Sequence, residues 1–430
     1  MKKNESLMRI IPLKSLNHPD VRAITSREPS PSPAITGVVK AILADIKSKG
    51  HSAALAYAKK HDGLKGALAV TPVDIKAKAA KLSPEVKKAI RGAIANVRRF
   101  HKLQQEKSWS FTGKDGETLG QIIRPLRRVG VYVPGGAGIY PSTLIMNAVP
   151  AQVAGVEEIA VVSPAPGGLH PSIAFTLQEL GITECYRIGG AQAVAMLAYG
   201  TEKVERVDKI VGPGNVFATL AKKEVFGTVD IDMIAGPSEI LVLADETADP
   251  DWVAADLLSQ AEHGSGYEAA ICITTSAKAA REIAECVAQQ VESSPKRAIL
   301  EKSLRNFGRI YVVKDWKLGC ALADAIAPEH MEIITRNPQV LASRIRNAGA
   351  IFLGPYSSEP IGDYYAGPNH VLPTNGSARF FSPLGTYDFY KRTSLIQYTP
   401  KAMKKHGGLI AALADEEGFI HHAQAVRKRL

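Results

Sequence analysis

The sequence predicts an α/β protein built from two Rossmann-like but incomplete α/β domains that form a cleft, with small N- and C-terminal segments beside them. Three observations carry this. From residue 127 onward, short β-branched runs alternate with helical patterns, which is the rhythm of βαβ units and a mostly parallel sheet. The rhythm comes in two series, one opening at RVGVYVP and the other at EILVLAD. The length, 430 residues, is enough for two to three domains with cores that need no disulfide or metal staples.

The elements follow in order. Residues 1–30 read as an N-terminal arm with little regular structure, ending in the proline-rich break SREPSPSPA. Helices come next. Val38, Ile42 and Ile46 recur at four-residue spacing, as do Val86, Ile90 and Ile94, and Ser83-Pro84-Glu85 has the form of an N-cap with proline in the first turn. GKDGETLG (113–120) is a hairpin candidate. The first strand series is RVGVYVP, EEIAVVSP, ECYRIGG and VDKIVGPG, each ending at Gly or Pro; the second is EILVLAD, AAICITT, RIYVV, MEIIT and AIFLG. Past VLPT (371–374) the rhythm stops, and LIAALADEEGFIHHAQAVRKRL reads as one helical segment broken at Gly418. The domains expected are 31–126 together with 238–375, then 127–237, with a C-terminal helical segment at 376–430. Open α/β sheets bind ligands beyond the carboxyl ends of their strands, so the cleft between the two units is expected there.

Composition narrows the function classes. At 45% hydrophobic and 22% charged residues the chain is not disordered, and no apolar run approaches the ~18 residues of a membrane span. The basic start, MKKNESLMRIIPL, has too short an apolar stretch for a signal peptide, so a cytoplasmic protein is expected. Cys185, Cys272, Cys286 and Cys320 lie far apart with no CxxC, which points to structural roles. The net charge of +11 is uneven: residues 1–130 carry 26 Lys+Arg against 10 Asp+Glu, and the remainder is net acidic. Those cations interleave with helical apolar positions and no aromatic series accompanies them, so they read as solvated helix faces rather than a nucleic-acid surface. An anionic dinucleotide would be drawn by the same field.

Five segments have the residue types for chemistry. GxGxxG is absent, and the nearest match, GPGNVF, places Phe217 where the third glycine would be. Three strand-end loops stand out, namely PGGAGIYPS preceded by Tyr132, GGAQAVA with Gln192, and GPGN with Asn215. They are either plain βα turns or a cradle of backbone N–H groups for a phosphate or dinucleotide. In LLSQAEHGSG, Gln260 and His263 are three apart on one helix face, as a helix-end polar cluster or a ligand pair. APEHMEI sets Glu329 beside His330 just before a strand, a surface turn or an acid–base pair. GDYYAGPNHVLPT holds Asp363 and His370 in a glycine-rich loop, and EEGFIHH holds Glu417, His421 and His422. Together they offer amide, imidazole and carboxylate donors suited to zinc or manganese, with no thiolate.

Taken together, RVGVYVPGG, YPSTLIMNAVPA, GGAQAVAMLAYGTE, VDKIVGPGN, DIDMIAGPSEILVLAD, LLSQAEHG, APEHMEI, GDYYAGPNHVLPT and the EGFIHH tail resemble the histidinol dehydrogenase family, in the family's order and across essentially the whole chain. The resemblance implies an NAD-dependent oxidation of L-histidinol to L-histidine in two hydride transfers through a bound aldehyde, the last step of histidine biosynthesis. It implies one zinc per subunit, held by Gln260, His263, Asp363 and His422, the family spacing of Glu, four residues, then His selecting His422 over His421. Glu329 and His330 match the acid–base pair. Ser238, His370 and Glu417 match substrate contacts, beside His330 and the four zinc ligands, and Tyr132, Gln192 and Asn215 match NAD contacts. The family is a homodimer whose terminal segments cross to the partner. The N-terminal arm would then be a dimer contact, and Glu417 and His422 would complete the other subunit's site. Other readings are a paralogous zinc- and NAD-dependent polyol dehydrogenase acting on, for example, a sulfonated propanediol, a zinc hydrolase, and a basic nucleic-acid-binding protein. His370 and the Glu417/His422 pair suit an imidazole-bearing amino alcohol better than a polyol, and a hydrolase leaves the strand-end loops unexplained.

Overall fold

The structure is a computed structural model that describes residues 7–27, 32–135 and 138–430. Two parallel sheets organise it. The larger has six strands in the order Arg9–Leu13, Gly308–Val313, Ala269–Thr274, Glu239–Ala244, His330–Ile334 and Ala350–Leu353. The smaller has five, in the order Cys185–Tyr186, Glu158–Val162, Arg128–Tyr132, Lys209–Val211 and Asp230–Ile231. A third, antiparallel sheet joins the hairpin Trp109–Thr112/Thr118–Pro125 to Tyr390–Gln397.

Both parallel sheets are covered on two faces, which is why their strands read as continuous apolar runs. Ile240 and Val242 enter one core with Val253, Leu257 and Ile310, whereas Leu241 and Leu243 enter another with Ile271, Tyr311 and Met331. In the smaller sheet, Val129 and Val131 share a core with Leu144 and Phe175, while Ala160 and Val162 face Ile42, Ile46 and Val194.

Several expectations are met. Ser83 caps the helix Pro84–Lys102 by accepting from the Val86 N–H, with Pro84 in the first turn. The tail forms two helices, Pro400–Glu416 and Ile420–Arg427, separated at Gly418 with φ +80°. Cys185, Cys272 and Cys320 are buried, and all four cysteines are free thiols. No described helix is long and apolar enough to cross a membrane.

Four expectations need correction. The N-terminal arm is structured where described: Arg9–Leu13 is the edge strand of the larger sheet and Pro19–Thr25 is a helix behind it. Residues 1–6 and residues 28–31 of the SREPSPSPA break lie outside the described residues. Second, the helices between residues 33 and 102, expected with 238–375, pack chiefly on the smaller-sheet unit, although Pro84–Lys102 also touches Gly362–Ala366. They pack on the smaller sheet's helices, Pro33–His61 on Gly190–Tyr199, Pro72–Ala79 on Pro171–Glu179, and Pro84–Lys102 on Pro141–Ala154. Chain order suggested the other grouping, but the apolar stripes of these helices are matched by the faces of the smaller sheet's helices.

The third concerns the stripes themselves. Val38 and Val86 are exposed, and the buried faces are Val39, Ile42, Leu43 and Ile46, and Ile90, Ala93, Ile94 and Val97. A strict four-residue repeat drifts about 40° per step around a helix of 3.6 residues per turn, so the ends of such a stripe rotate into solvent. The fourth concerns the cleft. The smaller sheet does present carboxyl ends, at Tyr132 and beyond Val211, but the larger one presents amino ends. Ser238 precedes the strand Glu239–Ala244, and His330 is the first residue of its own strand, paired with Ile240.

Candidate active site

The amino end of the larger sheet carries the main cluster. At Ala327 the chain leaves the helix Trp316–Ile326 through a left-handed residue, φ +50°, and Pro328-Glu329 then lead into the strand. Glu329 and His330 are both buried, 7% and 2% exposed, with Glu359 and Asp363 from the segment after Leu353 within 4 Å of the His330 ring. His330 Nδ1 lies 3.0 Å from the Glu239 carbonyl oxygen. As that oxygen can only accept, Nδ1 carries the proton and Nε2 faces the site. Nε2 is buried without a hydrogen-bond partner, 3.5 Å from an Asp363 oxygen and 3.7 Å from a Glu359 oxygen.

Burial pushes the His330 imidazole down, but Glu329, Asp363 and Glu359 outweigh it and draw it up to about 10. Burial also raises the Glu329 carboxyl, to about 8, against the pull of His330 and of a backbone N–H from Glu239. Asp363 is held low by His330 and His370 despite its burial.

Gln260 and His263 reach the same place from the end of the helix Pro250–Ala261. The Gln260 amide hydrogen-bonds to Glu359, and its Oε1 is buried with no partner. His263 Nδ1 lies 2.9 Å from the Ser238 hydroxyl oxygen, which leaves Nε2 as the ring's other donor atom. Asp363 and Glu359 lie one helical turn apart in Glu359–Ala366. His370 closes the cluster and bridges the two sheet units. Its Nδ1 is 3.0 Å from the Asp363 carbonyl oxygen and its Nε2 is 3.5 Å from Thr143 of the smaller-sheet unit.

His330, Glu359 and Asp363 offer ligand atoms that all lie within 4.8 Å of one another. The structure thus brings together Ser238, Gln260, His263, Glu329, His330, Asp363 and His370. It does not bring Glu417 and His422 there. Both are exposed at the break in the tail, and the ring contact of His422 is with Phe419, 5.0 Å away.

The second group lies at the carboxyl ends of the smaller sheet. Tyr132 is buried, its hydroxyl accepting from the Gly190 N–H at 2.8 Å, and burial lifts its phenol to about 12. Gln192 donates to Asp62, which also accepts from the Gly189 N–H. Asn215 caps the helix Val216–Val225 through the Phe217 and Ala218 N–H groups. Gly212 has φ +108°, and a Cβ there would fall 2.2 Å from the Tyr132 carbonyl oxygen, so only glycine lets this loop close on the strand. The loop PGGAGIYPS lies partly outside the described residues, at Gly136 and Ala137.

Sequence reasoning missed Glu359, Glu332, Glu239 and Asp62. Glu359 is four residues before Asp363, a helical spacing that would have paired them. Glu332 is a carboxyl in the apolar strand HMEII, two residues from His330 and so on the same face. Asp62, after a helix, has no signal that separates it from an ordinary cap.

A buried imidazole among carboxylates and an amide, in a unit joined to the smaller sheet through His370 and Thr143, defines an α/β enzyme equipped for proton transfer. Comparison with known proteins gives the family. A family model described as histidinol dehydrogenase matches residues 25–430. Histidinol dehydrogenase of Geobacillus kaustophilus is 50% identical over 392 residues, covering 90% of this chain and 92% of that protein, and that of Bacillus subtilis is 49% identical over 394 residues, covering 91% and 92%. A crystal structure of histidinol dehydrogenase from Elizabethkingia anophelis superposes with a TM-score of 0.93 at 34% identity, covering 99% of this chain and 98% of that one. The chain belongs to the histidinol dehydrogenase family, a family of oxidoreductases.

Proposed function

We propose that this protein oxidises L-histidinol to L-histidine through bound L-histidinaldehyde, with NAD as hydride acceptor and one zinc ion per subunit, as the last step of histidine biosynthesis in the cytoplasm. Family membership over nearly the whole chain supports the substrate, and the polyol alternative has no comparable support. The observation that carries the chemistry is His330 Nε2, buried, without a partner and turned toward Asp363.

The donors fit zinc. Gln260 Oε1 is an orphaned buried oxygen, His263 keeps Nε2 for a ligand, and Asp363 supplies a carboxylate. His422 of a second copy would be the fourth ligand, with Glu417 beside it at the substrate; this agrees with their exposure here and with a homodimer of shared sites. When bound, the zinc would orient the imidazole and amine of histidinol and offset the Asp363 charge that keeps a proton on His330. NAD would lie against the loops at Tyr132, Gln192 and Asn215 and receive both hydrides.

This chain's own residues then do the proton work. His330 Nε2 takes the alcohol proton in the first oxidation, its ring fixed by the Glu239 carbonyl. Glu329 takes a proton from the water that hydrates the aldehyde, and His330 acts again in the second oxidation. Ser238 and His370 orient the substrate. Glu329, His330 and Gln260 are buried, which keeps bulk water from the reacting groups. The test is to strip the protein with EDTA, mix it with L-histidinol and NAD, follow NADH, and restore zinc. Two NADH per histidinol, dependent on zinc, is expected; bound zinc with no NADH would move the substrate to the polyol class.

A further inference from the structure

We infer that Arg27 and Glu239 form a positioning pair that fixes the Glu329–His330 dyad from behind. The inference rests on reading that dyad as the acid–base machinery. Glu239 holds it at three points. The Glu239 N–H donates to Glu329 Oε2 at 2.9 Å, the Glu329 N–H donates back to Glu239 Oε2 at 3.2 Å, and the Glu239 carbonyl accepts from His330 Nδ1 at 3.0 Å. The first two contacts place the Glu329 carboxyl, and the third sets the tautomer that leaves Nε2 as the base.

The Glu239 side chain is itself buried among groups that need it. It also accepts from the Asn375 backbone N–H, and Asn375 is a left-handed residue with φ +54°. Ala327, two residues before Glu329, is left-handed as well, at φ +50°. Such conformations are unfavourable in non-glycine residues and persist where the surroundings hold them. Glu239 thus ties together two strained turns that border the site.

Arg27 makes this arrangement possible. Its guanidinium pairs with Glu239 Oε1, with the two side chains 3% and 6% exposed, and lies over the Phe307 ring at 5.3 Å. A guanidinium does not give up its proton in a protein, so it supplies the fixed positive charge that a buried carboxylate requires. It arrives from 212 residues upstream, at the end of the N-terminal arm. A buried ion pair is weak as a source of stability, since an apolar pair of similar size often does as well. An apolar pair would leave the Glu329 and Asn375 N–H groups without their acceptor, directly beside the reacting groups.

The test uses Arg27→Met, Glu239→Gln and their double variant in the zinc-loaded full-length protein, with His330→Asn alongside. Each single variant is expected to lower kcat for histidinol roughly tenfold to a hundredfold, the scale of a displaced catalytic group. The KM for NAD and the zinc content should stay within twofold. The double variant, with no charge left unpaired, should melt closer to the parent than either single variant yet keep the low kcat. A double variant with parental kcat would overturn the inference, as would single variants that raise KM and leave kcat alone. If the single variants do not fold, Arg27→Lys carries the test: it keeps the charge without the planar fork, and a lowered kcat at near-parental melting temperature supports the inference while a parental kcat overturns it. His330→Asn separates the two levels. Retained first oxidation in that variant would sink the dyad reading itself, whereas its loss beside a parental double variant would sink only the role of Arg27 and Glu239.

Discussion

Lys222 and Asp232 form a buried ion pair that grips one glycine from both sides. Lys222 Nζ donates to the Gly212 carbonyl oxygen at 2.9 Å, and the Gly212 N–H donates to Asp232 Oδ2 at 2.7 Å. Gly212 opens the GPGN loop, so the pair holds the backbone that presents Asn215.

Asp232→Asn is therefore expected to cost about 3–5 kcal/mol, the usual penalty for leaving one partner of a buried pair unmatched. It should also weaken NADH binding several-fold while leaving zinc content unchanged. Urea melts and a fluorescence titration with NADH check both, and unaltered NADH affinity in the folded variant would detach the clasp from the cofactor.

Glu329 gives a pH dependence. Burial raises its carboxyl to about 8, so it is mostly protonated at neutral pH and becomes a base as pH rises. The oxidation of L-histidinaldehyde should climb by up to tenfold per pH unit below about 8, where Glu329 is still protonated. Glu329→Gln should be slow and lack the rise set by Glu329. Steady-state rates on the aldehyde between pH 6 and 10 decide it, and a parent profile without that rise would count against Glu329 as the water's base.

Shared sites predict complementation. His263→Ala and His422→Ala proteins, each inactive alone, should regain activity when unfolded together and refolded as a mixture. Random pairing gives half heterodimers with one intact site each, or about a quarter of parental activity. No recovery, with heterodimers demonstrated by mass, would place His422 outside the partner's site.

Asp388 should make stability fall with pH. Burial lifts its folded value to about 6 from an ordinary 3.8, and nearby Asp230 and Asp232 raise it while Lys209 and the Gly385 N–H hold it down. Between about pH 4 and 6 the unfolded chain has lost this proton and the folded one still binds it, so stability falls through that window and stays lower above it. The whole effect is at most about 3 kcal/mol. Asp388→Asn should gain on the parent in melting temperature as pH rises from 4.5 to 6.5, and a constant difference would refute the assignment.

Much of the architecture was legible because parallel strands covered on both faces leave unbroken apolar runs, as in EILVLA and AAICIT. What was not legible is non-local. Nothing in RIIPL says that its partner is Gly308–Val313, and nothing in the helices of residues 33–102 says which sheet they cover. The site divided in the same way. Gln260, His263, Glu329, His330, Asp363 and His370 were found because each sits in a short segment rich in polar chemistry. Glu239, Glu359 and Arg27 act through contacts across tens to hundreds of residues, and local pattern is silent there. The amino-end placement of the dyad escaped for a related reason, since a ligand at the carboxyl ends is a rule for single open sheets.

The pairing of Arg9–Leu13 with Gly308–Val313 also sets a timetable for synthesis. Arg9–Leu13 leaves the ribosome and must wait for a partner made some 300 residues later, roughly 15–60 seconds at ordinary rates of translation. The strands of the smaller sheet, all within residues 128–231, can find one another in the meantime. Until the late strand emerges, Arg9–Leu13 has no sheet edge to pair with, and Leu13 has no core to enter.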